Sequence, residues 1–173
     1  MSKTLVIGYG NSLRGDDGVG VRAVEIIAHK HPGIDCLTLT ELTPDLAETL
    51  SRYDNVLFVD ASIAASDLKW RTVSPQLESG GVRTHALTPE ALIGIAITLY
   101  DRCPEVITIV EIPARSFHYS EKLSPLTQSM LFKFVSLFDE RPDTMVENLS
   151  SSAEWDQSPS TIPQFLQTSL IPS

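Results

Sequence analysis

The sequence is short of basic residues and contains only two cysteines. Its 13 Lys and Arg are outnumbered by 22 Asp and Glu, which gives the 173 residues a net charge of −9. Phosphate backbones and anionic lipids repel so acidic a protein, so neither nucleic acid nor a membrane is an expected partner. The cysteines, Cys36 and Cys103, lack the spacing of a metal or redox motif and fit reduced, structural thiols.

Long apolar runs and internal repeats are also missing. No segment is apolar for long enough to span a bilayer, and Lys3 is followed by a short strand-like run instead of a signal-peptide core. We therefore expect a cytoplasmic protein. Its length fits one domain with one substantial core, and no spare apolar stripe suggests a second subunit, so we expect a monomer.

Short β-rich runs alternate with helical stretches along the chain. This pattern predicts a single three-layer α/β domain, with helices on both faces of a five-stranded, mostly parallel sheet. The predicted strands are residues 4–8, 35–41, 55–61, 70–74 and 105–112. Residues 62–69 are too few for a helical crossover, so strand 70–74 is expected to run antiparallel at one edge.

Four helices are predicted from their capping signals and apolar periodicity. They cover residues 19–30, a stretch opened by Thr43 as N-cap and Pro44, residues 89–100, and residues 125–139. In the first helix, Val21, Val24, Ile27 and Ala28 are predicted to form the buried face. The domain is expected to span residues 1–141, followed by a flexible tail, 142–173, that is rich in Ser and Pro.

Three potential metal ligands are predicted to meet at one edge of the sheet. In open α/β sheets, ligands bind beyond the carboxyl ends of the strands, where the chain order reverses. The loop 10–18, with Asp17, leaves the first strand there, Asp60 ends the third, and His85 precedes a helix that starts at that edge. Two carboxylates and an imidazole suit a divalent transition metal, and three ligands leave a position for substrate.

Other readings of these residues remain open at this stage. Asp16 or Asp17 could cap the following helix, and a lone histidine such as His85 is more often a solvated loop residue than a ligand. The Gly-rich loop is not a dinucleotide fingerprint, because Leu13 occupies the place of its third glycine and two aspartates follow where pyrophosphate would lie.

The stretch from Ile7 to Gly20 (IGYGNSLRGDDGVG) resembles the opening signature of the hydrogenase maturation endopeptidases. Three later segments resemble the same family, and the resemblance covers roughly residues 4–138. They are the strand end Val59-Asp60-Ala61, the stretch from Thr84 to Pro89 around His85, and the helix start Leu123-Ser124-Pro125.

The resemblance implies an aspartic or metal-assisted endopeptidase that removes the C-terminal extension of a nickel–iron hydrogenase large-subunit precursor after nickel insertion. It implies that the precursor supplies the nickel, that no organic cofactor is needed, and that Asp17, Asp60 and His85 bind the metal and form the catalytic site. Asp16 and Asn11 match the motif and are expected to shape the loop. Some family members have glutamate where this chain has Asp17.

Two alternatives belong to other functional classes. A phosphorelay receiver domain also has an acidic pair after its first strand and an aspartate ending its third. Here a Gly-rich loop precedes the pair, and residues 112–115 offer no lysine at the end of the last strand. The second alternative is a family member that binds metal or a hydrogenase subunit without cutting it.

Overall fold

The computed structural model describes residues 2–73, 87–140 and 142. His85 and nearly all of the predicted tail lie outside these residues. The strands are β1 Thr4–Tyr9, β2 Asp35–Leu39, β3 Asn55–Ser62, β4 Lys69–Val73 and β5 Val106–Pro113. The helices are α1 Val19–Lys30, α2 Leu46–Leu50, α3 Pro89–Tyr100 and α4 Pro125–Glu140, and a single 3-10 turn, Gly15–Gly18, leads into α1.

The five strands form one sheet in the order β2-β1-β3-β5-β4. Strands β2, β1, β3 and β5 run parallel, and β4 pairs antiparallel with β5 at the edge. The predicted sheet and its antiparallel edge strand are therefore confirmed. Strands β1 and β3 are also neighbours, so the loop that follows β1 starts beside the carboxyl end of β3, where Asp60 lies.

Alternate residues of the central strands pack into two cores on opposite faces of the sheet. Val6 and Val59 belong to the core that includes residues of α1 and α4. Ile7 and Phe58 belong to the core that includes residues of α2 and α3. Because successive strand residues point to opposite faces, buried strands of this kind are apolar along nearly their whole length. The predicted three layers are confirmed.

The helix starts agree only partly with the capping signals. Thr88 caps α3, since its Oγ1 accepts a hydrogen bond from the Ala91 N–H at 3.3 Å. The start predicted at Thr43 is wrong: α2 begins at Leu46, after a turn in which the Thr43 carbonyl accepts the Leu46 N–H. Among the described helices, none is both long and apolar enough to cross a bilayer.

Helix α1 lies unusually close to the sheet at its first turn. A Cβ atom on Gly20 would come within 2.3 Å of the Val59 carbonyl oxygen, so only glycine permits this approach. The contact fixes the start of α1 against the carboxyl-terminal half of β3. The Gly-rich loop that precedes α1 is thereby held beside the end of β3, where Asp60 lies.

Candidate active site

The two aspartates of the acidic pair have different roles. Asp16 is fully buried and accepts hydrogen bonds from the backbone N–H groups of Arg115 (2.8 Å), Ser116 (2.8 Å) and Ser124 (2.6 Å). The Ser124 hydroxyl donates a fourth, at 2.8 Å. Asp16 therefore joins the loop after β1 to the segment between β5 and α4, which confirms that it shapes the loop.

The hydrogen bonds keep Asp16 ionised despite its burial. Burial alone raises the pKa of a carboxyl group, because it disfavours the charged form. The donors from Ser124, Arg115 and Ser116 outweigh that effect and lower the pKa of Asp16 to about 2. A carboxylate with this many donors is a structural anchor with little capacity left for a ligand.

Asp17 is half-buried and is held by the loop that it closes. Its Oδ2 accepts the Asn11 N–H at 2.9 Å, and no described donor bonds its Oδ1. Gly10 has a φ of 133°, and a Cβ there would lie 1.9 Å from the Asp17 carbonyl oxygen.

Neither aspartate caps α1, whose N-cap residue is Gly18. The capping reading is therefore wrong for both.

Asp60 lies near the end of β3 with both carboxylate oxygens bonded. The Tyr9 hydroxyl donates to Oδ2 at 2.7 Å, and the Ala61 N–H donates to Oδ1 at 2.7 Å. Burial raises the pKa of Asp60 to about 6, opposed by these two bonds and assisted by the negative charges of Asp17 and Glu111. Asp17 is thus close enough for its charge to add to the raised pKa of Asp60.

Tyr9 is a site residue that the sequence analysis missed. Its ring packs edge-on against Phe58, with centroids 6.5 Å apart. Burial, followed by the Asp60 charge, raises the pKa of Tyr9 far above its usual value, so the hydroxyl remains a donor. The register of the sheet accounts for the contact, because Gly8 pairs with Val59 and the next residue of β1 therefore falls beside Asp60.

Glu111, which the sequence analysis also missed, lies on the β5 side of Asp60. Glu111 pairs in register with Asp60, and its Oε1 lies 3.4 Å from the Arg71 Nε. Arg71 forms a further ion pair with Glu90, in the first turn of α3. Arg71 therefore offsets part of the negative charge that surrounds Asp60.

Two of the three predicted ligands, Asp17 and Asp60, lie among the described residues. Within the described ranges, no three His, Cys, Asp or Glu side chains are grouped so that they could hold a metal ion. The third predicted ligand, His85, lies outside those ranges, and its role stays a prediction. Neither cysteine suits a nucleophile, since burial raises the pKa of Cys36 to about 11 and also raises that of Cys103.

The receiver-domain alternative fits this geometry poorly. The flavodoxin-like order 2-1-3-4-5 places the fifth strand at the edge of a parallel sheet. Here β5 is internal, and the edge strand β4 is antiparallel. In addition, the four hydrogen bonds of Asp16 occupy one of the two carboxylates that a receiver would need beside its phosphoacceptor.

Comparison with known proteins gives matches among solved structures alone. No protein-family model matches the sequence, and no curated protein matches it. The hydrogenase maturating endopeptidase HybD from E. coli superposes with a TM-score of 0.62 at 20% identity, covering 84% of this chain and 95% of HybD. The maturation protease HycI from Thermococcus kodakarensis KOD1 gives 0.62 at 22%, covering 80% and 91%.

A third structure extends the comparison to another archaeon. The hydrogenase 2 maturation peptidase from Thaumarchaeota archaeon SCGC_AB-539-E09 has a TM-score of 0.60 at 24% identity, covering 82% of this chain and 98% of its own. All three proteins are matched over nearly their full lengths. The chain therefore has the fold of the hydrogenase maturation endopeptidases, as the resemblance in the Gly-rich loop implied.

Proposed function

We propose that this protein is a hydrogenase maturation endopeptidase. It removes the C-terminal extension of a nickel–iron hydrogenase large-subunit precursor after nickel has been inserted, and it acts as a cytoplasmic monomer. The observation that carries the proposal is that β1 and β3 are neighbours, so that the loop after β1, which holds Asp17, starts beside the carboxyl end of β3, where Asp60 lies. The shared fold supports it, because three proteins with this fold are hydrogenase maturation peptidases.

Nickel enters the proposed reaction as part of the substrate. Asp17, Asp60 and His85 complete the coordination of the precursor's nickel, since carboxylates and imidazole both bind this metal. Burial is the main cause of the raised pKa of Asp60, and the charge of Asp17 adds to it; a bound cation relieves the repulsion between the two carboxylates. A precursor without nickel brings no such charge, so it binds less productively.

The same residues position the bond that is cut. Nickel held by the three side chains serves as a handle that places the adjacent peptide over the site. With nickel as a handle only, Asp17 or Asp60 acts as the general base that takes a proton from the attacking water. The buried Asp16 does not take this role, because four donors occupy its carboxylate.

Mass spectrometry of a cognate large-subunit precursor tests the proposal. The precursor is incubated with the protein in nickel-loaded and nickel-free forms, and each product is weighed. We expect a defined C-terminal peptide to be lost from the nickel-loaded form alone. If the nickel-loaded precursor binds but stays intact, the protein is a non-cleaving binder of hydrogenase subunits, and the proposal is wrong.

A further inference from the structure

The proposed function gives no role to the hydrogen bond between Tyr9 and Asp60. Tyr9 ends β1, Asp60 lies near the end of the neighbouring β3, and their side chains are joined by a 2.7 Å hydrogen bond. The sheet pairs Gly8 with Val59, so the backbone itself brings the two residues side by side. The phenol therefore reaches Asp60 from a fixed point of the sheet.

Both ends of the tyrosine are restrained. Its ring is packed edge-on against Phe58, a fully buried residue of β3. Tyrosine has few rotatable bonds, so a packed ring leaves the hydroxyl little freedom to move. The donor that Asp60 receives is consequently rigid, unlike a donor on a long surface side chain.

The bond decides how the Asp60 carboxylate is oriented. Oδ1 is bonded to the N–H of the next residue, Ala61, a local contact that constrains one oxygen. The Tyr9 hydroxyl constrains Oδ2. With both oxygens bonded, the plane of the carboxylate is set, and each oxygen keeps a lone pair for another partner.

We propose that Tyr9 is a positioning residue, whose hydroxyl holds the Asp60 carboxylate in the orientation in which it meets the precursor's nickel. The inference rests on the proposed function and assigns it one further residue. Groups that hydrogen-bond to metal-binding side chains fix the direction of those side chains, and their loss commonly lowers metal affinity or activity. Tyr9 does not itself contact the metal or the scissile bond.

The substitution Tyr9→Phe removes the hydroxyl and keeps the ring on Phe58. A matched control exists in Tyr53, whose hydroxyl donates to Asp35 Oδ2 at 3.0 Å. Tyr53 precedes β3 and Asp35 begins β2, so this second tyrosine–aspartate pair lies at the opposite, amino end of the sheet. Tyr53→Phe therefore reports what the loss of such a bond does to the fold alone.

Two readouts separate a positioning role from a structural one. We expect Tyr9→Phe to lower kcat for the nickel-loaded precursor, and the affinity for Ni²⁺ alone measured by calorimetry, by about tenfold to a hundredfold. The KM for precursor should rise as well, because the Asp60 carboxylate that Tyr9 positions also binds the precursor's nickel. Tyr53→Phe should leave kcat and Ni²⁺ affinity unchanged, and both variants should keep a Tm close to that of the wild type.

The outcomes distinguish this inference from the proposed function. If the wild type cleaves and Tyr9→Phe keeps its kcat and Ni²⁺ affinity within twofold, the positioning role is wrong and the peptidase assignment stands. If the wild type binds Ni²⁺ without cleaving, and Tyr9→Phe weakens that binding, the positioning role stands and the peptidase assignment fails. A wild type that neither cleaves nor binds Ni²⁺ overturns both.

Discussion

Ser124 donates two hydrogen bonds to Asp16, one from its backbone N–H at 2.6 Å and one from its hydroxyl at 2.8 Å. The same hydroxyl oxygen lies 3.4 Å from the Thr127 nitrogen, in the first turn of α4. One buried carboxylate thus ties the start of the last helix to the loop after the first strand. The acidic pair combines this anchor, Asp16, with a half-buried neighbour, Asp17, whose Oδ2 accepts the Asn11 N–H.

Replacing the anchor should destabilise the protein. The amide of Asp16→Asn offers one oxygen as acceptor and directs an NH₂ group at donors that are already buried. We expect the free energy of unfolding to fall by about 3 kcal/mol, the loss of charged hydrogen bonds plus unsatisfied donors. Urea denaturation measures the change, with the exposed Asp45→Asn as control. A loss no larger than that of the control would show that Asp16 is not an anchor.

The pH dependence of stability should show two opposite contributions. The pKa of Asp16 is lowered from 3.8 to about 2, so its ionised form stabilises the fold above pH 3.8, and this contribution is lost as the pH falls through 2. The pKa of Asp60 is raised from 3.8 to about 6, so ionising it costs stability as the pH rises from 3.8 to 6.

Comparison with Asp60→Asn isolates the second contribution, since the other carboxylates are common to both proteins. Each unit of difference in pKa is worth about 1.4 kcal/mol. We expect the wild type to lose stability relative to Asp60→Asn between pH 4 and 6, with the difference constant above that. Parallel curves from pH 4 to 7 would mean that the pKa of Asp60 is not raised.

The three predicted metal ligands should be needed for cleavage and dispensable for folding. Asp17→Asn and Asp60→Asn each remove a carboxylate charge and His85→Ala removes the imidazole, and we expect precursor trimming to slow by at least about a hundredfold. Matched controls are Asp45→Asn and His29→Ala, whose side chains are exposed. Trimming is followed by mass spectrometry and folding by circular dichroism. A folded variant that trims at the normal rate loses its assigned role.

The close approach of α1 to the sheet should tolerate no side chain at Gly20. In Gly20→Ala the new methyl group would lie 2.3 Å from the Val59 carbonyl oxygen, so α1 must move. We expect a loss of about 2 kcal/mol or more in the free energy of unfolding. Gly33→Ala is the control, because a Cβ there meets nothing within 4 Å. Equal stabilities for the two variants would rule out the tight contact.

This same contact explains why the buried face of α1 was predicted incorrectly. Periodicity favoured Val21, Val24, Ile27 and Ala28, but Val21 is only partly buried and Ala28 is exposed. The structure buries Val24 and Ile27 together with Val19, Gly20 and Ala23. Apolar residues occupy most positions of α1, so periodicity alone does not define one buried face. The rotation of the helix follows from the approach of Gly20 to β3.

The sequence by itself determined the succession of strands and helices along the chain, the antiparallel edge strand and the position of Asp60 near a strand end. These features depend on apolar runs, connection lengths and caps that lie within a few residues of one another. Only the tertiary structure showed which groups Asp16 anchors and that Tyr9 bonds to Asp60. The partners of Asp16 lie 99 to 108 residues further along the chain, and Tyr9 is 51 residues from Asp60. Local periodicity carries no signal for contacts between such distant segments, because the packing of α1 and the pairing of β1 with β3 create them.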